Sequence, residues 1–164
     1  MPELIINGQL AQDTYRQLDA DSAIPASGDL LLPLERWQGF AASGEQRSGR
    51  TGVWLASDQL AEALGDDIHQ ADAVAVEFPK FVDGRGFSTA YLLRNRLGYQ
   101  GELRAIGDIL LDQLFYLQRV GFNAFLIPDG KSAEKGLEML EPISVRYQAS
   151  TDTPAPLYRQ LQTA

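Results

Sequence analysis

At 164 residues, of which 45% are hydrophobic, the chain is long enough to bury the core of one compact domain. Its net charge of −8 is spread along the sequence without a basic block, which argues against nucleic acid as a direct partner. The absence of cysteine excludes disulfides, thiolate metal sites, iron–sulfur clusters and thiol nucleophiles. No apolar run approaches the roughly 20 residues that cross a bilayer. The opening Met1-Pro2-Glu3-Leu4 segment lacks the cationic start and long apolar stretch of a secretion signal, so we expect a cytoplasmic protein with no membrane partner.

Strands and helices alternate along the chain. Leu4-Ile5-Ile6, Asn7-Gly8 and Gln9-Leu10 read as a small hairpin, since Asn-Gly suits a turn with positive φ angles. A polar stretch over residues 19–27 leads to a strand at Asp29–Leu32. Pro33 then opens a short helix with Leu34, Trp37 and Ala41 on one side. Ser43 to Arg50 is polar and glycine-containing and reads as a mobile, solvated loop, although its arginines, Arg47 and Arg50, could close over an anion. Gly52–Leu55 is a strand, and Ser57 is placed to cap a helix that ends at Gly65.

The next strand, Ala73–Phe78, leads to a helix from Ser88 to about Leu97. A glycine turn follows, then a strand at Glu102–Ile106. Leu110, Leu114 and Leu117 recur at helical spacing within a helix over residues 108–120, and Gly121 stops it. A strand over Phe122–Ile127 and a helix beginning at Ser132 follow. Ile143–Gln148 alternates as an edge strand would, residues 149–156 should lack regular structure, and residues 157–161 could form a helical turn against a neighbouring subunit of a homo-oligomer. The fold class is α/β: a mostly parallel sheet of successive βα units, either an open sheet or a partial βα barrel, with a small N-terminal hairpin. Residues 1–148 form the expected single domain, and residues 149–164 a flexible or partner-docking tail.

One loop concentrates chemistry. Between the strand ending at Phe78 and the helix near Ser88 lie Lys80, Asp83, Gly84, Arg85 and Gly86. Ligands in α/β proteins commonly bind at such a strand-to-helix junction. The helix end favours an anion, Arg85 could grip a phosphate, sulfate or carboxylate, and Lys80 could add a point charge. Asp83 could orient Arg85 or serve as an acid or base. The bland alternative is an Asp-Gly turn with an Asp83–Arg85 pair and Ser88 as a simple N-cap.

A second group lies on the strand Glu102–Ile106, where Glu102, Arg104 and Ile106 share one face; Arg104 could meet Glu77 across neighbouring strands, and Asp108 follows. Arg104 as an anion ligand and Asp108 as a catalytic group stand beside a purely structural Glu77–Arg104 ion pair. Asp112 suits the helix dipole. His69 is the only histidine and lacks a ligand pattern, so no metal site is expected. No P-loop or complete dinucleotide fingerprint is present, and the cofactor is left unassigned. Trp37 and Trp54 read as core or interface residues rather than a cofactor box.

The motifs Phe81-Val82-Asp83-Gly84-Arg85-Gly86-Phe87-Ser88, Leu93-Arg94, Gly101-Glu102-Leu103-Arg104-Ala105-Ile106-Gly107-Asp108 and Asp112-Gln113-Leu114 resemble those of the bacterial domain-of-unknown-function family 934. Arg119-Val120-Gly121-Phe122-Asn123-Ala124-Phe125 continues the likeness, with Asn123 where the family pattern often has Asp, and Tyr147-Gln148 also fits. Members are commonly labelled probable oxidoreductases involved in sulfite reduction. The resemblance therefore implies a role in sulfate assimilation. On that basis the leading expectation is an accessory protein of assimilatory sulfite reduction that binds a small sulfur oxyanion or the sulfite reductase itself. The alternatives are an independent α/β enzyme acting on a small anionic metabolite through Asp83 or Asp108, and a non-catalytic scaffold.

Overall fold

A computed structural model describes residues 3–140, 149–156 and 159. The described residues form one eight-stranded sheet: β1 (Glu3–Ile6), β2 (Gln9–Ala11), β3 (Tyr15–Gln17), β4 (Asp29–Pro33), β5 (Thr51–Leu55), β6 (Ala73–Phe78), β7 (Glu102–Gly107) and β8 (Ala124–Ile127). The α helices are α1 (Leu34–Ser43), α2 (Arg85–Asn95), α3 (Leu114–Val120) and α4 (Ala133–Leu140), joined by 3₁₀ helices at Ala61–Gln70 and Leu111–Gln113. The strand order is β2-β1-β8-β7-β6-β5-β4-β3.

From β3 to β8 each strand lies parallel beside the next, so the chain winds in one direction without reversing. Right-handed crossovers in sequential order place all connecting helices on the same face. The result is a curled half-barrel, the partial-barrel form of the expected fold. It is mixed, because the N-terminal hairpin is built into the sheet: β1 pairs antiparallel with β8, Glu3 opposite Ile127. The buried Ile5 side chain explains this placement, since it lies against the backbone of Gly136 in α4.

The hydrophobic alternation separates two layers. Leu32, Val53, Val74, Val76, Leu103 and Phe125 point into the large core shared with every helix. Their neighbours Leu31, Ala73, Ala75 and Ile106 form a smaller cluster on the helix-free face, with Tyr15, Trp54 and Leu126 packed against it. Burying the larger core supplies the main stabilisation, at roughly 25 cal/mol per Å² of apolar surface.

The hairpin expectation holds, and several other local ones change. Asn7 and Gly8 both have positive φ, as the hairpin turn requires. Ser57 does not cap a helix, because the 3₁₀ helix begins only at Ala61, and Gly65 kinks it in the middle instead of ending it. Helix α2 starts at Arg85, three residues before Ser88, with Gly84 at the N-cap position, so Ser88 is not a cap. The helix expected over residues 108–120 is split into a 3₁₀ turn and α3. The Ser43–Arg50 segment is tied down: Arg47 donates to Pro25 O and Thr51 Oγ1 at 3.0 Å each. Residues 149–156 lack helix and strand, yet Ser150 Oγ donates to Arg119 O at 2.6 Å. The expected edge strand at Ile143–Gln148 lies outside the described residues, as do residues 157, 158, 160 and 161 of the tail turn.

Candidate functional site

The carboxyl ends of the parallel strands meet at a rim formed by the loops after β5, β6, β7 and β8, which is where half-barrel and barrel folds carry their sites. The loop after β6 is braced from both sides. Asp108 Oδ2 accepts the Phe81 backbone N–H at 3.2 Å, and Gln113 Nε2 donates to Phe81 O at 2.9 Å. Asp108 N–H in turn donates to Phe78 O at 2.7 Å. This crossing needs Gly107, whose φ is +92° and whose missing side chain lets the Phe78 carbonyl approach to 2.4 Å from where a Cβ would sit.

Bracing holds Phe81 and Val82 outward, 44% and 72% exposed. Beside them, Arg85 grips Asp83 through two hydrogen bonds, Nε to Oδ1 at 2.9 Å and Nη2 to Oδ2 at 2.7 Å. Arg85 Nη2 also donates to Ser57 Oγ at 2.9 Å. The Arg85 guanidinium holds the Asp83 carboxyl well below the usual carboxylate range, so Asp83 is a poor proton acceptor near neutrality. Asp108 is half-exposed and stands 3.9 Å from Lys131 Nζ. Among the described residues, Lys80 is exposed and its ammonium has no hydrogen-bond or ion-pair partner. Arg85 and Ser88 do share a cavity, about 250 Å³ in volume, between α2 and the loop after β5, but Asp58 and Glu62 line it too. Among the described residues no group of three or more His, Asp or Glu could hold a metal ion.

Arg104 does not belong to this rim. It pairs in register with Ala75 of β6, four residues before Pro79, which is about 13 Å at a strand rise of ~3.3 Å per residue. Glu77 pairs with Ile106, so the expected Glu77–Arg104 ion pair is not formed. Arg104 lies instead on the helix-free face, 1% exposed, with Nη2 2.7 Å from Asp13 Oδ1. Its Nε is 2.9 Å from Glu102 Oε1, close enough to attract but not aligned as a hydrogen bond. The Arg104 guanidinium stands 4.9 Å from the centre of the Tyr15 ring. On the same ring, at 4.7 Å, lies Arg50, which is bonded to Asp29 and Thr14.

Sequence reasoning placed Glu102 on the same strand face as Arg104 but missed Asp13 and Tyr15 as members of this second cluster. The available signal was a charged residue in a buried strand, which demands a partner. What hid the partner was distance along the chain, because Asp13 is 91 residues from Arg104. Burial pushes both the Tyr15 hydroxyl and the Glu102 carboxyl up, the latter against the opposing pull of Arg104 and Arg50.

Residues carrying the family-like motifs are largely fasteners. Arg94 donates to Gly121 O, Tyr99 O and Gly101 O at 2.8–2.9 Å. Asn123 Oδ1 accepts Leu103 N–H at 2.7 Å, and its Nδ2 donates to Asn7 Oδ1 at 3.2 Å. Compared with curated proteins, the chain finds no match. A family pattern does match, over residues 52–158, which is most of the sequence and includes the rim loops after β5, β6, β7 and β8. The chain therefore belongs to the family described as a bacterial protein of unknown function (DUF934).

Proposed function

We propose that this protein is a cytoplasmic accessory protein of assimilatory sulfite reduction and that it acts by docking its rim loop onto the sulfite reductase. The metabolic setting follows from what the family resemblance implies. The mode of action is supported by one observation: Phe81 and Val82 are held in water by a loop whose backbone is pinned on both sides. A pinned loop loses little entropy on binding, and two adjacent apolar side chains gain by being covered. Lys80 and Arg85 flank them and would orient a partner's acidic groups.

The observation favouring a second reading, binding of a small sulfur oxyanion, is the cavity shared by Arg85, Ser57 and Ser88. Its acidic neighbours Asp58 and Glu62 weigh against a doubly charged guest.

The test is co-purification of the tagged full chain with sulfite reductase from cells growing on sulfate, compared with the Phe81→Ser/Val82→Ser double variant. Docking predicts a complex with the unaltered chain and at least a tenfold loss with the variant at an unchanged melting temperature. Equal recovery with both chains, or no complex with either, overturns it. Growth of a deletion strain on sulfide but not on sulfite would fix the step served.

A further inference from the structure

Among the described residues the two most exposed large apolar side chains are Val82, at 72%, and Leu60, at 69%. They stand on adjacent rim loops, after β6 and after β5. The loop after β5 is held as firmly as its neighbour: Gln59 Oε1 accepts the Ala56 N–H at 2.9 Å, and the Gln59 N–H donates to Ala56 O at 3.0 Å. The 2.9 Å bond from Arg85 Nη2 to Ser57 Oγ ties the two loops together, so one unit displays both apolar groups. Beside Leu60 opens the 250 Å³ cavity shared with Arg85, to which Ala61 and Leu92 add apolar lining.

Charge on this unit is sorted. On the Val82 side Lys80 is an exposed ammonium, and on the Leu60 side Asp58 is an exposed carboxylate; neither has a hydrogen-bond or ion-pair partner among the described residues. The charges between and around them are already paired, Arg85 with Asp83 at 2.7 Å and Glu62 with Arg96 at 3.6 Å. The unit is therefore neutral and bipolar, on a chain whose net charge is −8.

A surface with one cation and one anion on opposite sides of its apolar groups is complementary to itself. A two-fold axis through the Arg85–Ser57 tie carries the Lys80 side of one copy onto the Asp58 side of another, and every contact is then made twice. The same rotation brings Phe81 and Val82 over Leu60 and the mouth of the cavity. Repulsion between two chains of like net charge is screened beyond about 8 Å at physiological salt.

We propose that this rim face pairs with a second copy of the chain about that two-fold, Lys80 against Asp58 and the Phe81–Val82 pair against Leu60. Pairing covers Phe81 and Val82, so a paired copy is closed to the reductase docking proposed above, while pairing itself does not depend on that docking. Three apolar side chains from each copy make a small contact, for which a dissociation constant of about 0.1 mM is expected.

Sedimentation equilibrium of the full chain, from about 10 µM to about 1 mM in about 0.15 M salt, tests this. The average mass should rise with concentration from that of one chain toward that of two. Leu60→Ser and Val82→Ser should each weaken pairing about tenfold at an unchanged melting temperature. Lys80→Glu and Asp58→Lys each set like charges against one another and should weaken self-pairing about threefold or more. Mixed together, those two charge variants should pair with each other more tightly than either pairs with itself, because each then meets its opposite. The proposal is overturned if the mass stays that of one chain up to about 1 mM, if Leu60→Ser or Val82→Ser associates as the unaltered chain does, or if mixing the charge variants gives no gain. Co-purification decides the reductase docking separately.

Discussion

Asp13 Oδ1 and Arg104 Nη2 stand 2.7 Å apart, a single contact that closes 91 residues of chain. It fastens the strand-free segment after β2 to the middle of β7 and sets one wall of a cavity on the helix-free face. Arg104→Met removes the cation and leaves Asp13 and Glu102 facing each other with little access to water. We expect a loss of about 3 kcal/mol, the lower end for breaking a buried pair, measured by urea unfolding. Asp13→Asn in the Arg104→Met background should recover part of it.

Asp29 gives a pH signature. Hydrogen bonds from Arg50 hold its carboxyl well below the ordinary value of 3.8. A depressed carboxylate stabilises the fold fully above its unfolded value and ceases to do so as the pH falls through its folded one. Asp29→Asn should therefore be less stable than the parent at pH 7, by up to about 1 kcal/mol for a partly exposed pair. The two should converge as the pH is lowered below the ordinary carboxylate range. A stability gap constant from pH 7 to pH 2 would contradict this.

Gly107 is the least replaceable residue at the rim. An alanine there must hold a φ of +92° with its Cβ 2.4 Å from a backbone carbonyl oxygen that cannot swing away. Gly107→Ala should cost about 1–3 kcal/mol for the backbone strain, with a further loss as the Asp108-to-Phe78 hydrogen bond opens. Thermal unfolding measures the loss. Hydrogen exchange should show the Asp108 amide losing protection first.

Asn123 separates side-chain role from charge. Its Oδ1 is the partner of the Leu103 N–H, and a carboxylate at the same position keeps that bond. Asn123→Asp should stay within about 1 kcal/mol of the parent, because the Asn7 amide can turn its NH₂ toward the new oxygen. Asn123→Ala orphans the Leu103 N–H and should cost about 1–3 kcal/mol. Chemical denaturation of the two variants side by side decides it.

The parts of the fold that were readable in advance are those whose cause is local. The Asn7-Gly8 turn carries its own backbone preference, and the apolar run Ala73–Phe78 needs two covered faces wherever it sits. The position of α2 was misjudged because Ser88 looks like a cap, whereas Gly84 occupies that position without a side chain to signal it. Strand β3 escaped notice because three residues, Tyr15–Gln17, carry too little alternation to stand out from polar loop. In the candidate rim site the Asp83–Arg85 pair was legible, because it spans one loop, whereas the contact of Arg85 with Ser57, 28 residues away, was not. Arg104 was picked out correctly as a charged residue in a strand. Glu102, two residues away on the same strand face, was legible too; Asp13 and Tyr15 were not, because contact between distant segments is settled by the whole sheet and leaves no mark in the neighbouring sequence.

Arg94 reaches three carbonyls, on Gly121, Tyr99 and Gly101, at the end of the sheet remote from the rim. One guanidinium thus locks both turns, after α2 and after α3, where the chain leaves a helix and enters the next strand. Permanence is invested at the floor of the molecule, and its opposite end is left free to be rewritten. A foreign sequence could be grafted between Pro79 and Gly84 and the floor would still assemble, which makes this small protein a usable chassis for transplanted recognition loops.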